Sequence, residues 1–109
     1  MEIFYKTKKL SKVLNSNKVI DKIYGNSAKK IKQRLDDMAM VDNLKELMQL
    51  PGRHHQLKGE RKGQFACDLG HLYRLIYEPA NEPLPIDDTN ALIYEKVTII
   101  EIIEITDYH

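Results

Sequence analysis

The sequence is poor in the residues that hold small secreted or membrane proteins together. Of its 109 residues one is cysteine, none is tryptophan and two are phenylalanine. The lone Cys67 excludes an intramolecular disulfide framework and predicts a reducing cytoplasm as the compartment. No apolar run reaches about 18 residues, so no membrane span is expected. The opening residues lack the apolar core of a secretory signal, so none is expected.

Motifs for cofactor and metal chemistry are also lacking. The five glycines are scattered and match neither a phosphate-binding loop nor a dinucleotide fingerprint. The four histidines and Cys67 do not fall at zinc spacings such as C-x2-C or H-x3-H. Cys67 lies on the apolar side of a predicted strand and is expected in the core. We therefore expect neither a metal site nor a cofactor.

The composition predicts one globular domain over residues 1–109, with 42% hydrophobic and 30% charged residues. The net charge of +1 conceals an asymmetry. Residues 1–63 carry 15 Lys/Arg against seven Asp/Glu, or +8, whereas residues 64–109 carry two against nine, or −7. The basic half either presents a surface to a polyanion or consists of the solvated faces of amphipathic helices.

The first half of the chain mostly has the period of helices. The strongest apolar stripe consists of Ala28, Ile31, Leu35 and Met38, with Arg34 assigned to the polar side. The first expected elements are a strand over Glu2–Lys6 and a helix over Lys8–Leu14. A second helix is expected between an N-cap in Asn15–Asn17 and Gly25, and a third over Ala28–Met40 with Asn26 or Ser27 as its N-cap. A short helix that contains Leu44 and Leu47 should follow, with Asp42 as its N-cap.

After Pro51-Gly52 the period changes to two. Phe65, Cys67 and Leu69 alternate with polar or small residues as in a half-buried strand, and Leu72–Tyr77 predicts its hairpin partner across Gly70-His71. Pro79–Asn90 predicts an exposed loop, and Val97–Ile105 predicts a central strand covered on both faces. The fold class is therefore α+β, with helices on one face of a small, mostly antiparallel sheet.

The segment from Leu50 to Tyr77 carries the residue types that RNA cleavage without a metal requires. Histidine can move protons near neutral pH, and Lys or Arg can stabilise charge on the phosphate. His54, His55, Lys58, Arg61 and Lys62 fall within nine residues. Arg74 lies in mid-strand, where it either binds phosphate or forms a buried ion pair with Asp68 or Glu104.

Several motifs together resemble the RelE/ParE superfamily, and more narrowly the HigB-type killer toxins of bacterial type II toxin–antitoxin modules. They are KTKKL near the start, KKIKQRL in the third helix, HQLKGERKGQFACDL, YRLIYEP and the final ITDYH. The resemblance implies a microbial-RNase-like fold and an mRNA endonuclease. Such an enzyme usually cleaves codons in the ribosomal A site and thereby inhibits translation. The resemblance also implies a cognate helix-turn-helix antitoxin as partner.

The same resemblance implies roles for individual residues. His55 and His109 are the acid/base candidates, Tyr108 stacks on or orients the base, and Asp107 belongs to the same C-terminal cluster. Lys58, Arg61 and Arg74 are expected to stabilise the transition state, with His54 and Lys62 binding RNA. Of the adjacent His54 and His55, only one should face the groove, and we favour His55. The α-carboxylate of His109 favours its protonated form, so we expect a general acid there, facing the same groove as Arg74.

Two other functions remain open at this point. One is a noncatalytic, ParE-like inhibitor of DNA gyrase, against which the histidine in the DYH ending argues. The other is an RNA- or protein-binding relative that has lost activity.

Overall fold

The computed structural model describes residues 1–70 and 72–107, so the predictions for His71, Tyr108 and His109 lie outside the described residues. In chain order the elements are β1 (Glu2–Tyr5), α1 (Lys8–Leu14), α2 (Asn17–Tyr24), α3 (Ala28–Met40), α4 (Leu44–Leu47), β2 (His55–Gln56), β3 (Phe65–Asp68), β4 (Tyr73–Pro79) and β5 (Ile99–Asp107), with 3₁₀ turns at Gly25–Ser27, Gly59–Arg61 and Tyr94–Lys96. Among the described residues, no helix has the length and apolar character needed to cross a membrane.

Polar side chains cap three of the helices. Thr7, Ser16 and Asn43 each accept a hydrogen bond from the backbone N–H three residues later, at 3.0, 3.3 and 3.0 Å. The prediction of Asp42 as the cap of α4 is wrong by one residue. The backbone of Asn43 is extended, which points its side chain at the N–H of Glu46, while Asp42 uses its own N–H to bind the Glu46 carboxylate.

The strands form one sheet in the order β1-β5-β4-β3-β2. β1 and β5 are parallel, and the remaining neighbours are antiparallel, which confirms the predicted α+β class with a mostly antiparallel sheet. The predicted hairpin is the β3–β4 pair, although β4 starts at Tyr73 and extends to Pro79. The predicted long strand is β5, displaced by two residues, because the 3₁₀ turn at Tyr94–Lys96 delays its start.

The two faces of the sheet are covered differently. On one face, the helix-side face, Leu14, Ile20, Ile31 and Met38 of the helices pack with residues of three strands. These strand residues include Phe65, Cys67, Leu75, Tyr77, Ile100 and Ile102. The opposite face carries only a small buried cluster of Ala66, Ile76 and Ile103, against which Leu57 packs. We call it the loop-side face, because the segment between β2 and β3 lies over it.

This segment explains why the half-buried interpretation of β3 is wrong. Phe65, Ala66 and Cys67 are all buried, although Ala66 points away from the helices. Leu57 closes over Ala66 and Ile76 from the other side. The alternation of large and small side chains in β3 therefore reflects a deep core on one face and a shallow one on the other.

A β-bulge in β5 changes which residues reach the loop-side face. Ile76 pairs with Glu104 and Tyr77 pairs with Ile102, which leaves Ile103 as the extra residue. Ile103 joins the cluster of Ala66 and Ile76, while Glu104 lies opposite Ile76 on the same face. The bulge thus places an apolar and a charged side chain on one face from consecutive positions.

Arg34 is the second departure from the predicted pattern. It was assigned to the polar side of α3, but it is only 5% exposed. Its Nε donates to the Asp68 carbonyl at 3.2 Å, and its NH1 lies 3.6 Å from the Asp37 carboxylate. Arg34 follows Ile31 by three residues and precedes Met38 by four, so its spacing does place it on the buried stripe.

Candidate functional site

Two rows of side chains cross the loop-side face. Strand pairing places His55, Ala66, Ile76 and Glu104 in one row across β2, β3, β4 and β5. Directly opposed residues share a face, and alternate residues of a strand return to it. The next row therefore lies on the same face and contains Asp68, Arg74 and Thr106.

Arg74 thus lies on the loop-side face, but it is the second residue of β4 and not in mid-strand as predicted, because the strand begins only at Tyr73. Asp68 and Glu104, the two predicted alternatives for an ion pair with Arg74, each bind an arginine from the segment 53–61. Asp68 receives the guanidinium of Arg53, and Glu104 receives that of Arg61.

Arg61 reaches this face from the 3₁₀ turn between β2 and β3. Its NH2 donates to Glu104 Oε1 at 2.9 Å, and its NH1 donates to Gln64 Oε1 at 2.9 Å. Both charged side chains remain partly exposed. Lys58 and Lys62 flank the turn and are exposed. The segment therefore places the Arg61 guanidinium beside the row that contains Glu104.

The adjacent histidines point to opposite sides. His55 lies opposite Ala66 on the loop-side face. His54 instead contacts Tyr77 of the helix-side core, with 2.8 Å between Nδ1 and the Tyr77 hydroxyl. Burial, followed by the nearby Arg34 guanidinium, lowers the pKa of His54 to about 4. The site described here consequently contains His55 and not His54.

A backbone contact determines which nitrogen of His55 is available. Its Nδ1 lies 2.7 Å from the carbonyl oxygen of Arg53. A carbonyl accepts and cannot donate, so Nδ1 carries the proton in this contact. The neutral ring is then the tautomer whose Nε2 has a free lone pair, which is the form that a general base needs.

The carbonyl that orients His55 belongs to a residue in a left-handed conformation. Arg53 has φ of 51°, which is uncommon for a residue other than glycine. Its guanidinium binds the Asp68 carboxylate with two parallel hydrogen bonds of 2.9 and 3.1 Å. The Asp68 N–H also donates to the carbonyl of Gly52 at 2.7 Å. Asp68 thus holds the turn before β2 by both its side chain and its backbone.

Arg34 supports the same turn from below. The Arg34 side chain donates to the carbonyl of Asp68. It also packs against Gly52 so closely that a Cβ at Gly52 would lie 2.5 Å from Arg34 Nε. Gly52 has φ of 116°, which also favours glycine. Sequence reasoning missed Arg34 and Arg53, although the spacing of Arg34 was a usable signal, and it named Asp68 only as a possible partner of Arg74.

The C-terminal cluster is described only in part. Asp107 is the last residue of β5 and is exposed. It pairs with Tyr73, which packs against the helix-side core, so its register places it on the face opposite to Arg74. Tyr108 and His109 lie outside the described residues, so the expectation that Arg74 and His109 share a groove stays a prediction.

Other chemistry finds no support in the part of the chain that the structure describes. Residues 1–70 and 72–107 contain no group of three or more His, Cys, Asp or Glu side chains that could hold a metal ion. Cys67 is buried, and this burial raises the pKa of its thiol to about 12. It stays protonated near neutral pH and is a core residue, not a nucleophile.

The sequence matches no protein-family model and no curated protein. Its structure is similar to that of the YoeB/ParE toxin from Agrobacterium tumefaciens, with a TM-score of 0.62, 11% identity and full coverage of both chains. It is also similar to the YoeB dimer from Staphylococcus aureus, with a TM-score of 0.54, 17% identity, and coverage of 100% of this chain and 97% of that one. The chain has the fold of these toxins. At such identities the likeness establishes the fold alone.

Proposed function

We propose that the chain is the toxin of a type II toxin–antitoxin module, of HigB-like type within the RelE/ParE superfamily. Its activity is cleavage of mRNA, which stops translation. The observation that carries this proposal is the placement of His55, Arg61 and Arg74 on one face of the sheet, with the Nε2 of His55 available as a base. The fold shared with the YoeB/ParE toxins supports it.

The proposed reaction uses acid and base catalysis without a metal. His55 Nε2 takes the proton of a 2′-hydroxyl as this oxygen attacks the neighbouring phosphate. The bond to the 5′-oxygen breaks, and this leaving group needs a proton, for which we propose the imidazole of His109. Arg74, Arg61 and Lys58 stabilise the negative charge that builds up on the phosphate. Tyr108 stacks on or orients the base, as the family resemblance implies.

Binding of RNA requires Arg61 to exchange partners. Its ion pair with Glu104 is partly exposed, and such pairs contribute only about 0.2–1 kcal/mol. A phosphate can accept two parallel bonds from the same guanidinium, whereas Glu104 accepts one from Arg61. Glu104 then acts as the resting partner of Arg61 in the absence of RNA.

Two predicted site residues, His54 and Asp107, take different places in the proposal, and Lys62 keeps its predicted role. His54 supports the turn through Tyr77 and does not contact RNA, because its ring is directed into the helix-side core. Lys62 is exposed beside the loop and contributes to RNA binding. Asp107 does not contact the phosphate in the proposal, since its register directs it away from the Arg74 row. The partners are mRNA, bound on the ribosome, and a helix-turn-helix antitoxin in the cytoplasm.

The test is primer extension on mRNA after induction of the chain without an antitoxin, together with a purified translation reaction. The wild-type chain is expected to produce discrete cuts and to stop translation. His55→Asn and Arg74→Ala are each expected to lower the cleavage rate by about 100-fold or more. The control Lys22→Ala removes an exposed charge from α2 and should cleave at the wild-type rate.

Three results would contradict the proposal. His55→Asn could cleave as fast as the wild type, which would exclude His55 as the base. Growth could stop with intact mRNA and inhibited DNA gyrase, which would favour the noncatalytic ParE-like function. Normal growth after induction would favour an inactive binding relative.

A further inference from the structure

The loop between β4 and β5 has a defined structure, although the RNA site does not use it. Asn81 accepts hydrogen bonds from the N–H groups of Thr98 and Ile99 at 3.0 and 3.1 Å, which ties the start of the loop to the start of β5. Asp87 closes a turn by accepting from the N–H of Thr89 at 2.8 Å. These local bonds hold the loop without a core of its own.

The loop displays apolar side chains to solvent. Leu84 is 48% exposed and Ile86 is 49% exposed, while Phe4 of the edge strand β1 is 49% exposed. All three line one cleft of about 1460 Å³, which runs between the loop and the end of the sheet. Exposed apolar side chains that line one cleft, in an ordered part of the structure, are typical of an interaction site.

Carboxylates line the same cleft. Glu78 and Glu101 are directly opposed on β4 and β5, and Glu82 follows in the loop. Within residues 1–70 and 72–107, none of these three glutamates forms an ion pair. Like charges directly opposite each other destabilise a sheet. A cation placed between Glu78 and Glu101 would remove this repulsion.

We propose that this cleft binds a segment of a partner protein that carries Lys or Arg beside apolar side chains. The apolar side chains of the segment fill the space between Phe4, Leu84 and Ile86. Its basic side chain lies between Glu78 and Glu101. The proposal does not depend on RNA cleavage, because its contacts use no residue assigned to catalysis; Lys62, which also lines the cleft, is assigned only to RNA binding.

The charge of the cleft selects this occupant over two others. RNA is repelled, because its phosphates would face three carboxylates with only Lys62 among the basic residues of the lining. A metal ion is disfavoured, because the described residues include no group of three or more ligating side chains. The remaining chemistry is that of a cationic protein segment with apolar anchors.

The experiment uses the whole chain, isotopically labelled, and follows its amide signals during titration with a short synthetic peptide of alternating leucine and lysine. We expect shifts at Phe4, Leu84 and Ile86, and weak or no binding of a matched peptide that carries glutamate in place of lysine. The double variant Glu78→Gln/Glu101→Gln should bind the lysine peptide about five- to tenfold more weakly. The double variant Asp21→Asn/Asp36→Asn has the same net charge but changes α2 and α3, and it should bind like the wild type.

A second measurement does not require a peptide. If Glu78 and Glu101 repel each other in the free chain, Glu78→Gln should raise the melting temperature at low salt, and this gain should shrink at high salt.

Equal binding of the two peptides, or equal binding by wild type and the glutamine double variant, overturns the proposal. So does a concentration-dependent dimer of the free chain that disperses in the glutamine double variant, because a second copy would then occupy the cleft.

Discussion

At the scale of single residues, the site depends on how one imidazole ring is held. His55 has no polar side chain to orient it in the described structure; its Nδ1 instead contacts the backbone carbonyl of Arg53. The positive φ of Arg53 directs this carbonyl toward His55 Nδ1, and the ion pair between Arg53 and Asp68 stabilises this conformation. Asp68 is therefore a positioning residue that acts on His55 through Arg53.

The first prediction concerns Asp68→Asn. The neutral amide accepts weaker bonds from Arg53, so the strained turn is expected to relax and His55 to lose its orientation. We expect the cleavage rate to fall by about tenfold or more while the apparent affinity for RNA changes little. The ¹⁵N shifts of the His55 ring should show a mixture of tautomers in place of a single one. A single unchanged tautomer in the variant would contradict the positioning role.

The second prediction concerns the dependence of stability on pH through His54. The unfolded chain binds a proton on this ring near the ordinary pKa of 6.5, whereas the folded chain binds it only near pH 4. Stability is therefore complete above pH 6.5 and is lost as pH falls toward 4. The loss is about 2 kcal/mol after discounting for the partial exposure of the ring.

Urea unfolding of the wild type and of His54→Gln at several pH values measures this contribution. The variant lacks the titrating ring, so its free energy of unfolding should fall less steeply between pH 6.5 and 4.5. Parallel curves for the two proteins would show that His54 does not have the depressed pKa.

At the scale of elements, α3 and the turn before β2 are joined through Arg34. The helix presents a guanidinium where the sheet ends, and the turn passes over it at Gly52 without a side chain. This contact explains why a charged residue occupies the buried stripe of α3. It also connects the helix-side core to the residues that hold His55.

The third prediction compares Gly52→Ala with Gly63→Ala. Both glycines have positive φ, 116° and 92°, so both substitutions introduce backbone strain of about 1 kcal/mol or more. Only at Gly52 does the new Cβ also meet Arg34, whereas nothing lies within 4 Å at Gly63. We expect Gly52→Ala to destabilise the chain by about 2–4 kcal/mol, clearly more than Gly63→Ala.

Equilibrium unfolding in urea measures both variants, and Gly63→Ala serves as the control for strain without overlap. Gly52→Ala should in addition lower the cleavage rate, because the turn carries Arg53. Equal destabilisation by the two substitutions would mean that Arg34 moves aside at no cost.

At the scale of the whole molecule, the charge asymmetry of the sequence is redistributed by the fold. The basic first half contributes Arg61 to the loop-side face, where it binds Glu104, and the acidic half contributes Arg74 to the same face. The acidic half in turn supplies Glu78 and Glu101 at the other end of the sheet. The loop-side face thus has a cationic end, with Arg61 and Arg74, and an anionic end, with Glu78 and Glu101.

The fourth prediction is a strong dependence of RNA binding on salt. If the four cationic side chains Lys58, Arg61, Lys62 and Arg74 each neutralise a phosphate, the logarithm of the binding constant should fall with the logarithm of salt with a slope of about −3. Lys58→Ala should make this slope shallower by about 0.7. Fluorescence anisotropy with a labelled single-stranded RNA measures both values. A slope near zero would exclude the cationic end as the RNA-binding surface.

Much of the fold could be predicted from local pattern. Apolar period and capping chemistry act over a few residues, and they predicted the bounds of α1 and α3, a cap of α2 within Asn15–Asn17, and the β3–β4 hairpin. The divergence of His54 and His55 follows from the alternation of a strand. The errors at Asp42 and in the start of β5 are shifts of one or two residues, for which local pattern leaves several choices.

The sequence by itself determined the α+β class, the order of the elements other than β2, and the cationic residue types from which an RNA site can be built, because these follow largely from local pattern. Only the tertiary structure decided that Arg34 is buried, that Ala66 is covered on its second face and that Ile103 and Glu104 share a face at a bulge. Tertiary structure likewise decided the tautomer of His55, through a carbonyl held by Asp68. The physical reason is that each of these features results from a contact between elements distant in sequence, and such contacts exist only once the sheet has its register.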